Sequence, residues 1–203
     1  LIGSHIFKSY DAGVTWEEVG ENYPREIETS VRVITVDPHD SDVIYIGTSK
    51  QEAVVGNGLW ISNDAGRTWG RSTDGLPTDA SINAIVAHPS NPGWLLVGTQ
   101  QGMYRSSNAA RTWNRVGDWN VWDVEIDPQH LDNVYAGTEE GLKFSPDFGK
   151  TWKQVSSDQL SGPIIAIAIN CNGTALYVSD GEHGVKAAFA EPDVSIPLDE
   201  TKG

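Results

Sequence analysis

Two carboxylates, Asp123 and Glu125, are the residues best placed to do chemistry in this 203-residue chain. They lie in Val121-Trp-Asp-Val-Glu-Ile126, a segment that alternates as a strand does. Both side chains then leave the same face, with Cα atoms roughly 6.5–7 Å apart. Trp122 stands beside them. Paired acids near an aromatic ring are what glycoside hydrolysis needs: one protonates the leaving oxygen, and the other activates water or attacks the sugar. Val124 and Ile126 supply the packed face, so Asp123 and Glu125 are expected on the open side, toward a channel. The competing reading is a water-lined strand whose acids are simply solvated.

Other acidic groups are less specific. Asp37, His39, Asp40 and Asp42 sit close together, as do Asp127, His130 and Asp132. Their spacing does not match a calcium-binding loop, which also needs a glycine at its sharp turn. They read as turn residues, and no metal site is assigned. Cys171 is the single cysteine, which excludes an intrachain disulfide and any zinc site built from several thiolates. Acids outnumber bases 28 to 14, for a formal charge of -14. That charge opposes binding to nucleic acid or to an anionic membrane surface. No stretch approaches the ~20 apolar residues of a membrane-spanning helix. Nothing in the sequence calls for a cofactor. The composition fits a secreted or periplasmic protein. Leu1, with no signal segment after it, reads as the start of a processed protein or of a fragment.

The elements that position these residues come from an internal repeat. Ser9-Tyr-Asp11-Ala-Gly13-Val-Thr15-Trp16 returns as Ser62-Asn-Asp64-Ala-Gly66-Arg-Thr68-Trp69 and as Ser145-Pro-Asp147-Phe-Gly149-Lys-Thr151-Trp152. A degraded copy reads Ser106-Ser-Asn108-Ala-Ala110-Arg-Thr112-Trp113. The aspartates can accept bonds from their own turn, the glycines supply positive φ, and each Trp offers an apolar plate. With Asn108 and Ala110, the third copy is expected to form a looser or differently shaped turn. In phase with this motif run short β-rich segments punctuated by Gly, Pro, Asn and Asp. The unit is about forty to fifty residues, the period of a four-stranded propeller blade. The spacing predicts half a blade over 1–20, full blades over 31–72, 82–116 and 120–155, a partial blade over 164–189, and an acidic tail over 190–203. The fold class is therefore all-β, a β-propeller in one domain.

The octapeptides identify the chain as similar to the Asp-box family, also called bacterial neuraminidase repeats. The family includes sialidases, xyloglucan-active endoglucanases, sortilin-type receptors and a photosystem II assembly factor. The resemblance implies propellers whose boxes lie in the turns between the third and fourth strands of each blade. It also implies that ligands meet the opposite face, around the central channel. By that topology the ligand face includes Trp119, Trp122, Arg25, Arg32, Gln101, Glu139, Glu140 and His183. Sialidases use three arginines and an Arg-Ile-Pro signature. Here the signature is absent, and only Arg25 and Arg32 fall near the axis, so sialidase activity is not expected. The xyloglucan-active enzymes use two propellers across a cleft, which 203 residues cannot build alone. The chain thus reads as a non-enzymatic scaffold or binding module for a protein or glycan partner. The alternative is a glycoside hydrolase, or part of one, acting through Asp123 and Glu125. The chain is expected to be part of a longer propeller or to assemble with another copy of itself; the alternative is closure through a composite blade made by both termini.

Overall fold

The computed structural model describes residues 5–20, 29–50, 58–156, 160, 162–180 and 184–189. Among them the fold is all-β, without a helix. Blade one contributes β1 (Ile6–Lys8) and β2 (Glu17–Val19). Blade two holds β3 (Thr29–Val36), β4 (Ile44–Lys50), β5 (Leu59–Ser62) and β6 (Gly70–Ser72). Blade three holds β7 (Ile82–Ala87), β8 (Leu95–Thr99), β9 (Gly102–Ser106) and β10 (Asn114–Gly117). Blade four holds β11 (Val121–Ile126), β12 (Val134–Thr138), β13 (Gly141–Ser145) and β14 (Lys153–Gln154). Blade five has β15 (Ile164–Ile169), β16 (Ala175–Asp180) and β17 (Gly184–Phe189). Within each sheet the strands are antiparallel and neighbours in sequence are neighbours in space. These are the blades of a β-propeller.

The core lies between blades. Tyr45 and Leu59 of blade two meet Ile82, Ile85 and Trp113 of blade three. Leu96 and Met103 meet Val121, Val124 and Phe148 in the next interface, and Tyr135 and Leu142 meet Ile164 and Ile167 in the one after. Close approach of the inner strands depends on a Gly-Thr pair in the second strands of blades two, three and four. A Cβ at Gly47 would lie 2.5 Å from Ile82 Cγ2, and one at Gly98 would lie 2.6 Å from Val121 Cγ1. A Cβ at Gly137 would lie 2.6 Å from the Ile164 carbonyl oxygen.

Each octapeptide closes the turn between a blade's third and fourth strands. In blade two, Ser62 Oγ donates to Asp64 Oδ1 at 2.8 Å, and Gly66 N donates to Ser62 Oγ at 2.8 Å. Thr68 N and its hydroxyl donate to the two Asp64 oxygens at 2.8 and 2.6 Å. The turns at Asp11 and Asp147 repeat this plan. Because the Thr still belongs to the turn, the outer strands of blades two to four begin about two residues later than the spacing predicted. The third copy corrects the expectation of a differently shaped turn. Ala110 N donates to Ser106 Oγ at 3.1 Å, and Thr112 N donates to Asn108 Oδ1 at 3.0 Å. Ala110 holds φ at +58° where the other copies carry glycine at +79 to +91°. The bonds lengthen slightly, but the pattern is kept. The acid clusters between first and second strands are likewise turn acceptors: His39 N donates to Asp37 Oδ1 at 2.9 Å and Gln129 N to Asp127 Oδ1 at 2.8 Å.

Among the described residues, the two ends form no composite blade. β17 pairs with β16 from Asp180↔Gly184 to Ala175↔Phe189, and β1 pairs with β2. Interface positions at the two ends are correspondingly open. Ile34 is 56% exposed whereas its equivalent Ile85 is 5% exposed. Tyr177 is 38% exposed whereas Tyr45 is 1%. Trp16 is 63% exposed, against 6% for Trp69 and 4% for Trp113.

The Trp exposures set an order of stability effects. Trp69→Ala and Trp113→Ala should each cost about 3–5 kcal/mol, while Trp16→Ala should change a urea melt far less. A Trp16 variant that destabilises as much as the Trp69 variant contradicts the packing described. The motif aspartates carry a pH signature. Hydrogen bonds from the Thr68 hydroxyl and Thr68 N–H hold the Asp64 carboxyl at about 2. Asp11 is held at about 2 by the Thr15 hydroxyl and Thr15 N–H. A pKa lowered in the folded state contributes stability above the unfolded value, roughly 4, and loses it as pH falls toward 2. Urea midpoints followed from pH 5 to pH 2 should fall less steeply in Asp64→Asn than in the unaltered chain; parallel slopes would argue against the carboxylate's role.

Candidate functional site

The first strand of each of blades two to five skips one residue in its pairing near its N-terminal end, at the mouth opposite the motif turns. The skips fall between Val31 and Val33, Ile82 and Ala84, Val121 and Asp123, and Ile164 and Ala166. Such an extra residue leaves the ladder and re-aims its side chain. The four residues are Arg32, Asn83, Trp122 and Ile165, one in each of blades two to five. Arg32 Nη1 donates to Asn83 Oδ1 at 3.0 Å, and Asn83 Nδ2 donates to the Val121 carbonyl at 2.7 Å. A polar relay thus crosses three blades. It stops at Trp122, whose indole Nε1 is buried without a hydrogen-bond partner, as is Asn120 Oδ1 nearby in sequence. Asn83 escaped the sequence reading. Its alignment with Arg32 and Trp122 was the signal that could have found it.

The loops beside this mouth are built by one device. Thr99 Oγ1 donates to the Gly102 carbonyl at 2.9 Å and accepts from Gln101 N at 2.9 Å. Thr138 repeats this with Gly141 and Glu140. The turns leave Gln101, Glu139 and Glu140 exposed. Glu139 Oε1 accepts from Asn120 N at 3.3 Å, and Glu140 Oε2 accepts from Lys143 Nζ at 2.8 Å. Trp119, expected on the ligand face, is partly buried and packs against its neighbours. Its ring lies 5.6 Å from that of Trp152, carries Lys143 Nζ at 5.1 Å, and fills the space a Cβ at Gly117 would need. Arg25 and His183 lie outside the described residues.

Asp123 and Glu125 share a face, but that face looks onto blade five. Asp123 Oδ2 accepts from Ile167 N at 2.8 Å, and its Oδ1 accepts from Val124 N at 2.9 Å. Val124 packs toward blade three, so alternation along β11 turns its neighbours toward blade five. Asp123 is therefore an inter-blade latch. Thr35, aligned with Glu125, donates to the Ile85 carbonyl at 3.1 Å and so links blades two and three in a related way. Glu125 is half-buried, and its carboxyl is raised above the usual range, first by loss of solvent and then by the Asp123 charge.

The comparisons with known proteins agree with this architecture. A family model described as sortilin, neurotensin receptor 3, matches residues 4–103. A probable oligoxyloglucan-reducing end-specific xyloglucanase of Neosartorya fischeri is 24% identical over 184 residues, covering 74% of this chain and 23% of the enzyme. Among solved structures, an ancestral GH74 enzyme superposes with a TM-score of 0.71 at 22% identity, over 92% of this chain and 25% of that one. YCF48 bound to D1 peptide gives a TM-score of 0.57 at 13% identity, over 83% and 54%. The fold and these likenesses define a β-propeller. More narrowly, it is similar to propellers of the sortilin and xyloglucanase type, and the chain spans under a quarter of the length of the xyloglucanase it matches.

The latch yields a prediction. Asp123→Ala leaves Ile167 N–H unpaired between blades and should cost about 1–3 kcal/mol in a denaturant melt. An unchanged melt would remove the latch from the description.

Proposed function

We propose that these blades are the carbohydrate-binding part of a xyloglucanase-type propeller with Asp-box repeats, and that the chain alone binds a neutral polysaccharide without cleaving it. One observation carries the reading: both oxygens of Asp123 are held by backbone N–H groups. A carboxylate committed in this way is a poor partner for Glu125 in a two-acid mechanism. The binding surface is the mouth opposite the boxes, where Arg32, Asn83 and Trp122 meet the exposed Gln101 and Glu139. The desolvated indole N–H of Trp122 supports a ligand with hydroxyl acceptors, since a buried donor left unpaired costs about 1–3 kcal/mol. An indole ring also offers an apolar plate of the kind that pyranose faces cover. In this reading the chain is one domain, and association with further blades covers the open faces at Ile34 and Tyr177.

The test is affinity electrophoresis in gels containing xyloglucan, with reducing-end release measured in parallel. The unaltered chain should be retarded and should release no sugar. Trp122→Ala should bind at least tenfold more weakly, about 1.4 kcal/mol. Migration unaffected by the polysaccharide would refute the reading. A second reading has one observation in its favour, the raised carboxyl of Glu125, which suits a general acid. Sugar release that vanishes in Glu125→Gln while the melt stays unchanged would establish hydrolysis in place of binding alone.

A further inference from the structure

A groove of about 980 Å³ on the octapeptide side, between blades two and three, plays no part in the site described above. Its apolar lining includes Ile61, Trp69 and Ala109, and its polar lining includes Asn63, Thr73, Asp74 and Arg111.

Comparison with the next interface explains why this groove is open. The fourth position of the octapeptide is Phe148 in blade four and Ala109 in blade three, with φ of +54° and +57°. Phe148 is fully buried, its ring 4.7 Å from His88 and 5.9 Å from Trp94 of blade three. Arg105 completes that filling: its Nε donates to the Phe148 carbonyl at 2.9 Å, and its guanidinium lies 4.7 Å over the Trp94 ring. The strand position equivalent to Arg105 in blade two is Ile61, since Tyr45↔Ile61 matches Leu96↔Arg105. Between blades three and four, then, a phenyl ring and a guanidinium occupy the crevice. Between blades two and three a methyl group and a short aliphatic chain stand in their place.

The groove's charges balance. Arg111 and Asp74 line it together, while Asp64 is held by Ser62 and Thr68 and the Arg71 guanidinium donates to the Thr78 carbonyl. In a chain of net charge -14, that balance gives neither an anion nor a cation an advantage. Donors and acceptors of both kinds around an indole suit a neutral polyhydroxyl ligand, and the volume lies within the range of small-ligand sites. We propose that this groove is a second carbohydrate site, taking a short neutral oligosaccharide on the octapeptide side of the disc. The inference rests on the reading of the chain as a glycan-binding propeller, and it places a second contact on the opposite face.

The test is titration calorimetry with a neutral xyloglucan oligosaccharide, joined to amide chemical-shift mapping. Two sites are expected, one moving the amides of Thr73, Asp74 and Arg111 and the other moving those near Trp122. Ala109→Phe should abolish the first and leave the second. Phe148 already adopts the same backbone conformation, so that variant should melt no lower than the unaltered chain. Asp74→Ala, which keeps the carbonyl that accepts from Trp113 N, should weaken the first site at least tenfold. A single site lost in Trp122→Ala and untouched by Ala109→Phe overturns the groove and leaves the axial reading standing. A single site lost in Ala109→Phe alone supports the groove and overturns the axial site. No binding at either place defeats both. An oligogalacturonate that binds the groove more tightly than the neutral sugar overturns the assigned ligand class.

Discussion

A propeller blade is apolar on both faces, and it can bury neither by itself. Everything else in this structure follows from the need of each sheet for a neighbour on either side. The inner strands come closest, and there the Gly-Thr pair of the second strand removes the Cβ that would meet the next blade. Burial then falls where two neighbours are present. Tyr45, Leu59 and Leu95 are closed off completely or nearly so, while Ile34, Trp16 and Tyr177 hold equivalent kinds of position at the ends and stay open. At about 25 cal/mol per Å² of apolar surface, such positions dominate the difference in stability between central and terminal blades.

The polar chemistry is subordinate to that packing. A skipped residue in every inner strand frees one side chain per blade from the ladder without breaking the sheet. Arg32 and Asn83 use that freedom to reach the next blade, and Trp122 leaves the ladder at the matching position with its indole Nε1 buried and unpartnered. Asp123 shows the opposite outcome. An acid that could have faced solvent is spent on a neighbour's N–H, so the charge serves assembly. The half-buried Glu125 beside it holds its proton more tightly, first because burial strips its solvent and then because Asp123 is charged.

How much of this could be read in the sequence depends on whether a feature repeats. The blades were legible because Ser-x-Asp-x-Gly-x-Thr-Trp and Gly-Thr recur in phase, and each recurrence carries the same turn or close approach. The strand alternation also put Asp123 and Glu125 on one face correctly. What alternation could not supply was the direction of that face, because a blade's two faces both look at neighbours and neither looks simply at water. The packing of Trp119 was illegible for the same reason: a crossover residue reads as surface until the Trp152 ring and Lys143 are seen against it. Differences between repeats were the least legible. Ala109 against Phe148 looks like a neutral exchange in the least constrained position of the motif, yet it decides whether a crevice is filled.

The third octapeptide shows what defines the turn. An alanine at φ +58° carries roughly 1–2 kcal/mol of strain that glycine avoids. The turn nevertheless keeps its shape: Ser106 and Asn108 accept the same backbone bonds that Ser62 and Asp64 accept in blade two, while Asn108 Nδ2 donates to Thr112 Oγ1 where Asp64 accepts from Thr68 Oγ1. The Ala110 methyl is buried in the core shared by blades two and three, and the Ala110 carbonyl accepts from Ser72 Oγ at 2.6 Å. Ser72 in turn accepts from Trp113 Nε1 at 2.9 Å. Strain at one residue is thus offset by contacts reaching into the preceding blade. The glycine of the motif eases the turn, but the side-chain bonds and the neighbouring sheet specify it.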